Sequence, residues 1–288
     1  AKPWRIAVPF PEASAWNRDS ADIARENTKR KDSPCSFFFS HGRSLVLAAE
    51  YFHDERLSEA ARGGVALKHR HKIQLAIFGQ LMAAFEYMLK DFIAKSIDAS
   101  NIFDEKLKNQ EWLSITTERV LSQRIAQSTI GSMLVHPTLG WHTPDTVNER
   151  YKAIFNVSPF DGEDLKKISV LWILRHSVAH NAGFVTAHDS ARINQPALSE
   201  KVVHLDEVFV KDTFDYLCSI ASRLADSCGK SMLKQWLKSM RVYGPNWERD
   251  QNIYQAIKAL GTYVNSRNQA LQAFEVAAYN ADWAAANA

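Results

Sequence analysis

Residues 68–97 read KHRHKIQLAIFGQLMAAFEYMLKDFIAKSI, thirty positions with no proline. Apolar side chains at Ile73, Ile77, Leu81, Ala84, Phe85, Met88, Phe92 and Ile93 recur at steps of three, four and seven. That spacing describes one broad helical face. At ~1.5 Å per residue such a helix is about 45 Å long. In a chain of 288 residues it predicts the spine of a helical bundle. Lys68, His69, Arg70, His71 and Lys72 crowd its start. Lys68, Arg70 and Lys72 are candidate contacts to an RNA backbone, although a solvated helix start accounts for the same run.

Working outward, no proline occurs from 44 to 131. The spacing predicts a helix over 44–62 that stops at Gly63 and Gly64. Residues 1–42 hold Pro3, Pro9, Pro11 and Pro34 with no sustained period, and are expected to form an N-terminal arm. On the other side, a helix is predicted over 114–127 and irregular structure over 128–143. Thr143 and Pro144 then supply a cap and a first-turn proline for a helix that Pro159 ends. Asp161 caps the next helix, 161–181. After Gly183, residues 184–186 and 201–205 read as short extended pieces, a small hairpin at most. A helix over 206–240, punctuated by Gly229, stops at Gly244 and Pro245, and a last helix covers 247–283. The predicted fold is all-α, a helical bundle with long antiparallel helices and at most a small β-hairpin insertion. The expected divisions are an arm at 1–42, a bundle at 43–240 and a C-terminal helix at 241–288 that packs on the bundle or on a second subunit.

Composition narrows the function classes. The chain carries 35 Lys+Arg and 32 Asp+Glu, for a net charge of +3. Residues 1–150 hold 20 basic and 18 acidic side chains, which leaves 15 and 14 for 151–288. Neither half is a basic coat for nucleic acid, so any polyanion would be met at a focused site. Three scattered cysteines, Cys35, Cys218 and Cys228, form neither a disulfide framework nor a CxxC pair. No apolar run approaches the ~20 residues of a membrane span. A soluble, cytoplasmic protein without membrane contact is expected. Walker, dinucleotide-binding and GxSxG patterns are absent.

Residues 171–183, LWILRHSVAHNAG, carry the chemistry. An apolar helix here places Arg175, His176, His180 and Asn181 near its C-terminal end, where burial without partners would be costly. A histidine exchanges protons near neutral pH, and an arginine offers a fork of donors to a phosphate gaining charge. At ~100° per residue, Arg175 and His180 lie about 140° apart around the helix, whereas His176 and His180 share a stripe. One helix alone makes an incomplete site, and two such helices about a two-fold axis would complete it. A structural helix terminus accounts for the same residues, since His and Arg both suit a helix C-terminus. His176 and His180 also have zinc-ligand spacing, with His136 and His142 near enough in sequence to add ligands. No HExxH glutamate stands between the pair, and no metal or other cofactor is expected.

Arg175 with four intervening residues and then His180 resembles the R-x4-6-H motif of HEPN-domain proteins. Asn181, Ala182 and Gly183 resemble the H-N-x-G continuation of several branches. Phe85, Glu86 and Leu89 are similar to the family's F-E-x-x-L segment, and a helix ending at Tyr151 to Phe155 precedes the motif helix. The resemblance spans roughly residues 45–240 and is concentrated around the motif. It implies a dimeric, metal-independent endoribonuclease with a composite active site. His180 would act as acid or base, and Arg175 would stabilise the phosphorane-like transition state. His176 would assist orientation, with Asn181 as a supporting donor and Glu86 holding Arg175. The products would be 2′,3′-cyclic phosphate and 5′-hydroxyl ends. A toxin or antiviral-defence nuclease, with an antitoxin or defence-system partner, is the setting the family suggests. The alternative it allows is a non-catalytic HEPN-like module that binds RNA, a nucleotide or a partner protein.

Overall fold

Ser33 and Pro34 start the first helix. The computed structural model describes residues 33–53, 70–113, 115–126, 128–263 and 275–288. In it α1 covers Pro34–His53. It begins inside the segment expected to be an arm, because Pro34 occupies the first helical turn, where a missing N–H costs nothing. Ser33 Oγ accepts from the Ser36 N–H at 3.2 Å and donates to the Thr262 carbonyl at 2.7 Å. A proline expected in the arm is therefore a helix start. Residues 1–32 and 54–69, including Lys68, lie outside the described residues.

The thirty-residue apolar segment forms α2, Arg70–Ala99, two residues displaced from its expected bounds. It is the spine, but it is buried on most sides rather than on one face. Leu75, Phe78, Leu81, Met82, Phe85, Met88, Leu89 and Phe92 are all almost fully enclosed. The Gln74 side chain donates to the Ala49 carbonyl of α1 at 3.2 Å.

Downstream come α3, Asp104–Leu107, and α4, Thr117–Ala126. The stretch expected to be irregular contains α5, Ile130–Val135, capped by Thr129. Gly131 N–H donates to Asp98 Oδ1 at 2.8 Å, so α5 is held against α2. Thr143 precedes α6, Pro144–Phe155, but its hydroxyl bonds Thr146 Oγ1 at 2.7 Å and caps no backbone N–H. Asn156, left-handed at φ 58°, ends α6 before Pro159 is reached.

Asp161 Oδ1 accepts from the Glu163 and Asp164 N–H groups at 3.0 and 2.9 Å and opens α7, Gly162–His180. Strand β1, Phe184–Val185, follows, then α8, Ala187–Arg192, then β2, Lys201–Val202. The strands pair antiparallel, Phe184 opposite Val202 and Val185 opposite Lys201. The fold is thus an all-α bundle with one small hairpin.

Helix α9, Glu207–Ser239, passes through Gly229 without a break. The glycine is there for contact: a Cβ on it would stand 2.3 Å from the Gly261 Cα. The last segment forms two helices where one was expected, α10, Trp247–Leu260, and α11, Val276–Asn287. Residues 32–288 make one compact unit, with no division near 240. Tyr254, Ile257, Leu260 and Tyr279 are buried in the shared core, so the C-terminal helices pack on their own bundle. Cys35, Cys218 and Cys228 are free and buried. Burial pushes the Cys218 thiol up to about 12.

Crossed tyrosine–aspartate pairs clasp α10 to α11. Tyr279 OH donates to Asp250 Oδ2 at 2.6 Å, and Tyr254 OH donates to Asp282 Oδ2 at 2.7 Å. Desolvation pushes the Asp250 carboxyl up, but hydrogen bonds from Arg249 and Tyr279 outweigh it and hold the group below its ordinary range. A depressed carboxylate stabilises the fold above the unfolded value of ~3.9, and the gain is lost as pH falls through the folded value. Tyr279→Phe is expected to cost about 1–3 kcal/mol at pH 7, since it strips a donor from a buried carboxylate. Urea unfolding should show the gap to wild type narrowing below about pH 4. A gap of constant size across pH 3–7 would mean that Asp250 is not the group involved.

Candidate functional site at the end of helix α7

Three anchors place the end of α7. At its start, Asp164 Oδ1 accepts from Tyr216 OH of α9 at 2.8 Å, and Asp164 Oδ2 accepts from Arg223. At its middle, Trp172 packs on Phe85 and on Phe160, with ring centroids 6.5 and 5.8 Å apart. At its end, Gly183 sits at φ 87°, and a Cβ there would meet Leu75 Cδ1 at 3.0 Å and Val202 Cγ1 at 3.3 Å. Gly183 N–H donates to the Ser177 carbonyl at 2.8 Å, and its own carbonyl accepts from Val203 N–H at 2.9 Å. The glycine of the H-N-x-G pattern thus closes the helix against α2 and the hairpin. Gly183→Ala combines a positive φ with two close contacts and should cost about 1–3 kcal/mol. Thermal unfolding measures this, and an unchanged midpoint would show that the turn tolerates a side chain.

Helices α2 and α7 run antiparallel. Arg175 lies opposite Glu86, Val178 against Gly79, and Gly183 beside Leu75. Arg175 Nη2 stands 3.9 Å from Glu86 Oε2, and Lys90 Nζ stands 3.2 Å from Glu86 Oε1. The first distance exceeds a hydrogen bond, so the pair is held by charge alone. The Arg175 side chain is 25% exposed and that of Glu86 is 17% exposed. Glu86 therefore sits where it restrains Arg175 without covering it. His180 and His176 are both exposed, with ring centroids 4.9 Å apart. Among the described residues no polar contact joins Arg175 to His180, as their angular separation requires. Asn181 ends α7 through its backbone, its N–H donating to the Ser177 carbonyl at 3.0 Å.

Lys72 is exposed and Arg70 half-buried, both in the first turn of α2. Lys72 precedes Leu75 by three residues, about 4.5 Å along the axis. The antiparallel packing thus brings the basic run to the same end of the bundle as Gly183. His71 of that run stacks on His204, with centroids 6.1 Å apart.

A cleft of about 550 Å³ opens beside α7. His176 and Asn181 line it; Arg175 and His180 do not. His142 lines it as well, joined by His188 and Arg192 of α8. The last two carry no signal in the sequence, because one His and one Arg on a six-residue helix match no motif. His136, a candidate metal ligand, instead faces Asp91 Oδ1 at 3.4 Å and stacks on Tyr87. Among the described residues no group of three or more His, Cys, Asp or Glu side chains is arranged to hold a metal ion. No helix among them is long and apolar enough to cross a membrane.

Comparison with protein families, with characterised proteins and with solved structures finds no match to this chain.

Proposed function

We propose that this protein is a metal-independent endoribonuclease of HEPN type that acts as a homodimer. The observation that carries the proposal is the pairing of Arg175 with Glu86 beside an exposed His180 at one helix end. Arg175, half-buried against Glu86, and the exposed His180 occupy the last turns of one helix on different sides of it. In the reaction the ribose 2′-oxygen attacks phosphorus while a base takes its proton. The bond from phosphorus to the 5′-oxygen breaks, and an acid returns a proton to that oxygen. The products are a 2′,3′-cyclic phosphate and a 5′-hydroxyl. The step needs one base and one acid. A second copy about a two-fold axis supplies the second His180, and Arg175 offers its fork to the charge that builds on phosphorus. Lys72 and Arg70 lie at the same end of the bundle and suit the flanking backbone.

Purified protein is expected to cut RNA in the presence of EDTA and to leave 5′-hydroxyl ends. Loss of cleavage on chelation would overturn the metal-free mechanism. An intact chain that binds RNA and never cuts it would support the non-catalytic alternative.

Glu86 acts as a positioning residue through Arg175. Glu86→Gln keeps the shape and removes the charge. It is expected to lower kcat by ~10- to 100-fold, the order that follows from misplacing a catalytic group by about an ångström. KM and the unfolding midpoint should hold, and Glu86→Asp should recover part of the rate. A parallel fall in stability with no change in kcat would make Glu86 structural only.

A further inference from the structure

Three imidazoles and one guanidinium converge on the cleft beside α7. His142 reaches it from the loop before α6, His176 from α7, and His188 and Arg192 from α8. All four side chains belong to exposed residues. The volume of about 550 Å³ falls within the range of small-molecule sites, roughly 300–1,000 Å³. Part of the lining is apolar and buried, formed by Trp172 and Ile173. Trp172 also carries a buried indole N–H with no acceptor among the described residues.

The wall offers several donors and a single carboxylate. Its one lining carboxylate, Asp189, is already engaged. Asp189 Oδ2 accepts from Thr186 Oγ1 at 3.1 Å, and Asp189 Oδ1 stands 3.8 Å from Arg192 Nη1. That second distance is too long for a hydrogen bond, so it leaves the Arg192 donors available. An imidazole donates in either protonation state. The histidines are spread around a cavity instead of closing on one point, which agrees with the absence of a metal-binding cluster among the described residues. Dispersed donors suit an anion with several oxygens, and the apolar lining suits a body of ring size beside it.

We infer that this cleft binds a nucleoside phosphate. The phosphate sits against His176, His188 and Arg192, and the ring covers Trp172 and Ile173. Neither Arg175 nor His180 lines this site, which meets them at His176 and Asn181, their neighbours in the chain. It does not require that the chain cleave RNA. The same chemistry is offered by a free nucleotide and by one unit of an RNA strand.

Calorimetric titration of the full chain separates these sources. The probes are AMP, adenosine, inorganic phosphate and a 2′-O-methyl RNA trinucleotide, whose blocked hydroxyl prevents cleavage. AMP is expected to bind once per chain, with adenosine and phosphate each at least ~10-fold weaker, since each lacks one half of the recognition. Joint replacement of His188→Ala and Arg192→Ala, both exposed, should weaken AMP at least ~10-fold with the unfolding midpoint unchanged. Arg175→Ala should leave it within about twofold, because Arg175 does not line the cleft. A trinucleotide that binds more tightly than AMP, and is weakened by the same double variant, identifies the RNA unit as occupant; the reverse order identifies the free nucleotide. Adenosine binding as tightly as AMP would overturn the phosphate assignment. Undiminished AMP binding by the double variant, or no AMP or trinucleotide binding at millimolar concentration, would overturn the site. Failure of RNA cleavage with AMP binding intact would sink the nuclease proposal and leave this one standing.

Discussion

Arg175→Ala is expected to lower RNA cleavage at least ~100-fold, and His180→Ala to do the same, with the fold intact in both. Each group is asked for roughly 2.7 kcal/mol of the barrier, the free-energy equivalent of that factor. Loss of Arg175 does not strand Glu86, because Lys90 still stands 3.2 Å from its other oxygen. His180 is exposed, and its removal opens no cavity. A rate loss in either variant with an unchanged unfolding midpoint would therefore report chemistry and not collapse. Arg175→Lys should recover little, since an ammonium cannot reproduce the planar fork. Mixing wild type with an equal amount of His180→Ala tests the composite site. If one reaction draws His180 from both copies, only wild-type pairs act, and random exchange returns about a quarter of wild-type activity. If each chain works alone, about half returns. Wild-type rates in both variants would place the chemistry elsewhere, and a monomer by light scattering at micromolar concentration would remove the two-fold argument.

Phe85→Ala is expected to be the most damaging single core substitution near the site, at about 3–5 kcal/mol. Phe85 is fully enclosed. It meets Phe38 of α1 edge-on at 5.4 Å, Phe160 at 6.4 Å and Trp172 of α7 at 6.5 Å. Truncation removes a ring that three neighbours share and leaves a void between α2 and α7. Urea unfolding measures the cost. Phe85→Leu should lose far less, ~1.5 kcal/mol or under, because volume is largely kept. Leu139→Ala, at a residue 86% exposed, should stay within about 0.5 kcal/mol. A Phe85→Ala cost near that of Leu139→Ala would show that the neighbouring rings close the gap. Glu86 follows Phe85 directly, so the same substitution should also loosen the hold on Arg175.

Much of the fold was legible from local pattern. The repeat of apolar residues in 68–97 predicted α2 to within two residues at each end. Asp161 was read as a cap and is one, and the weak extended signals around 184 and 202 are a real hairpin. These features depend on contacts within a turn or two, which sequence spacing records. The misreadings share one cause. Local pattern puts Pro34 in an arm, makes Pro159 the end of a helix and leaves Gly229 as a weak point within one. Pro34 starts a helix, Pro159 follows one that Asn156 has already ended, and Gly229 lets α9 approach Gly261. A glycine or proline states what the backbone can do, and its neighbours in space select among those options.

The candidate site divides along the same line. The sequence alone supplied the identities and spacing of Arg175, His176, His180 and Asn181, and the 140° turn that keeps Arg175 and His180 apart, because a helix converts position into angle with no outside help. Three things followed only from packing. Glu86 meets Arg175 because α2 and α7 run antiparallel at a particular register, one that Gly79 and Gly183 permit by letting Val178 and Leu75 come close. The basic start of α2 arrives at the motif end for the same reason. His142, His176, His188 and Arg192 surround one cleft although they come from three segments. Such convergence is set by the burial of apolar faces distributed over the whole chain, and a side chain's own neighbours in sequence carry no record of it.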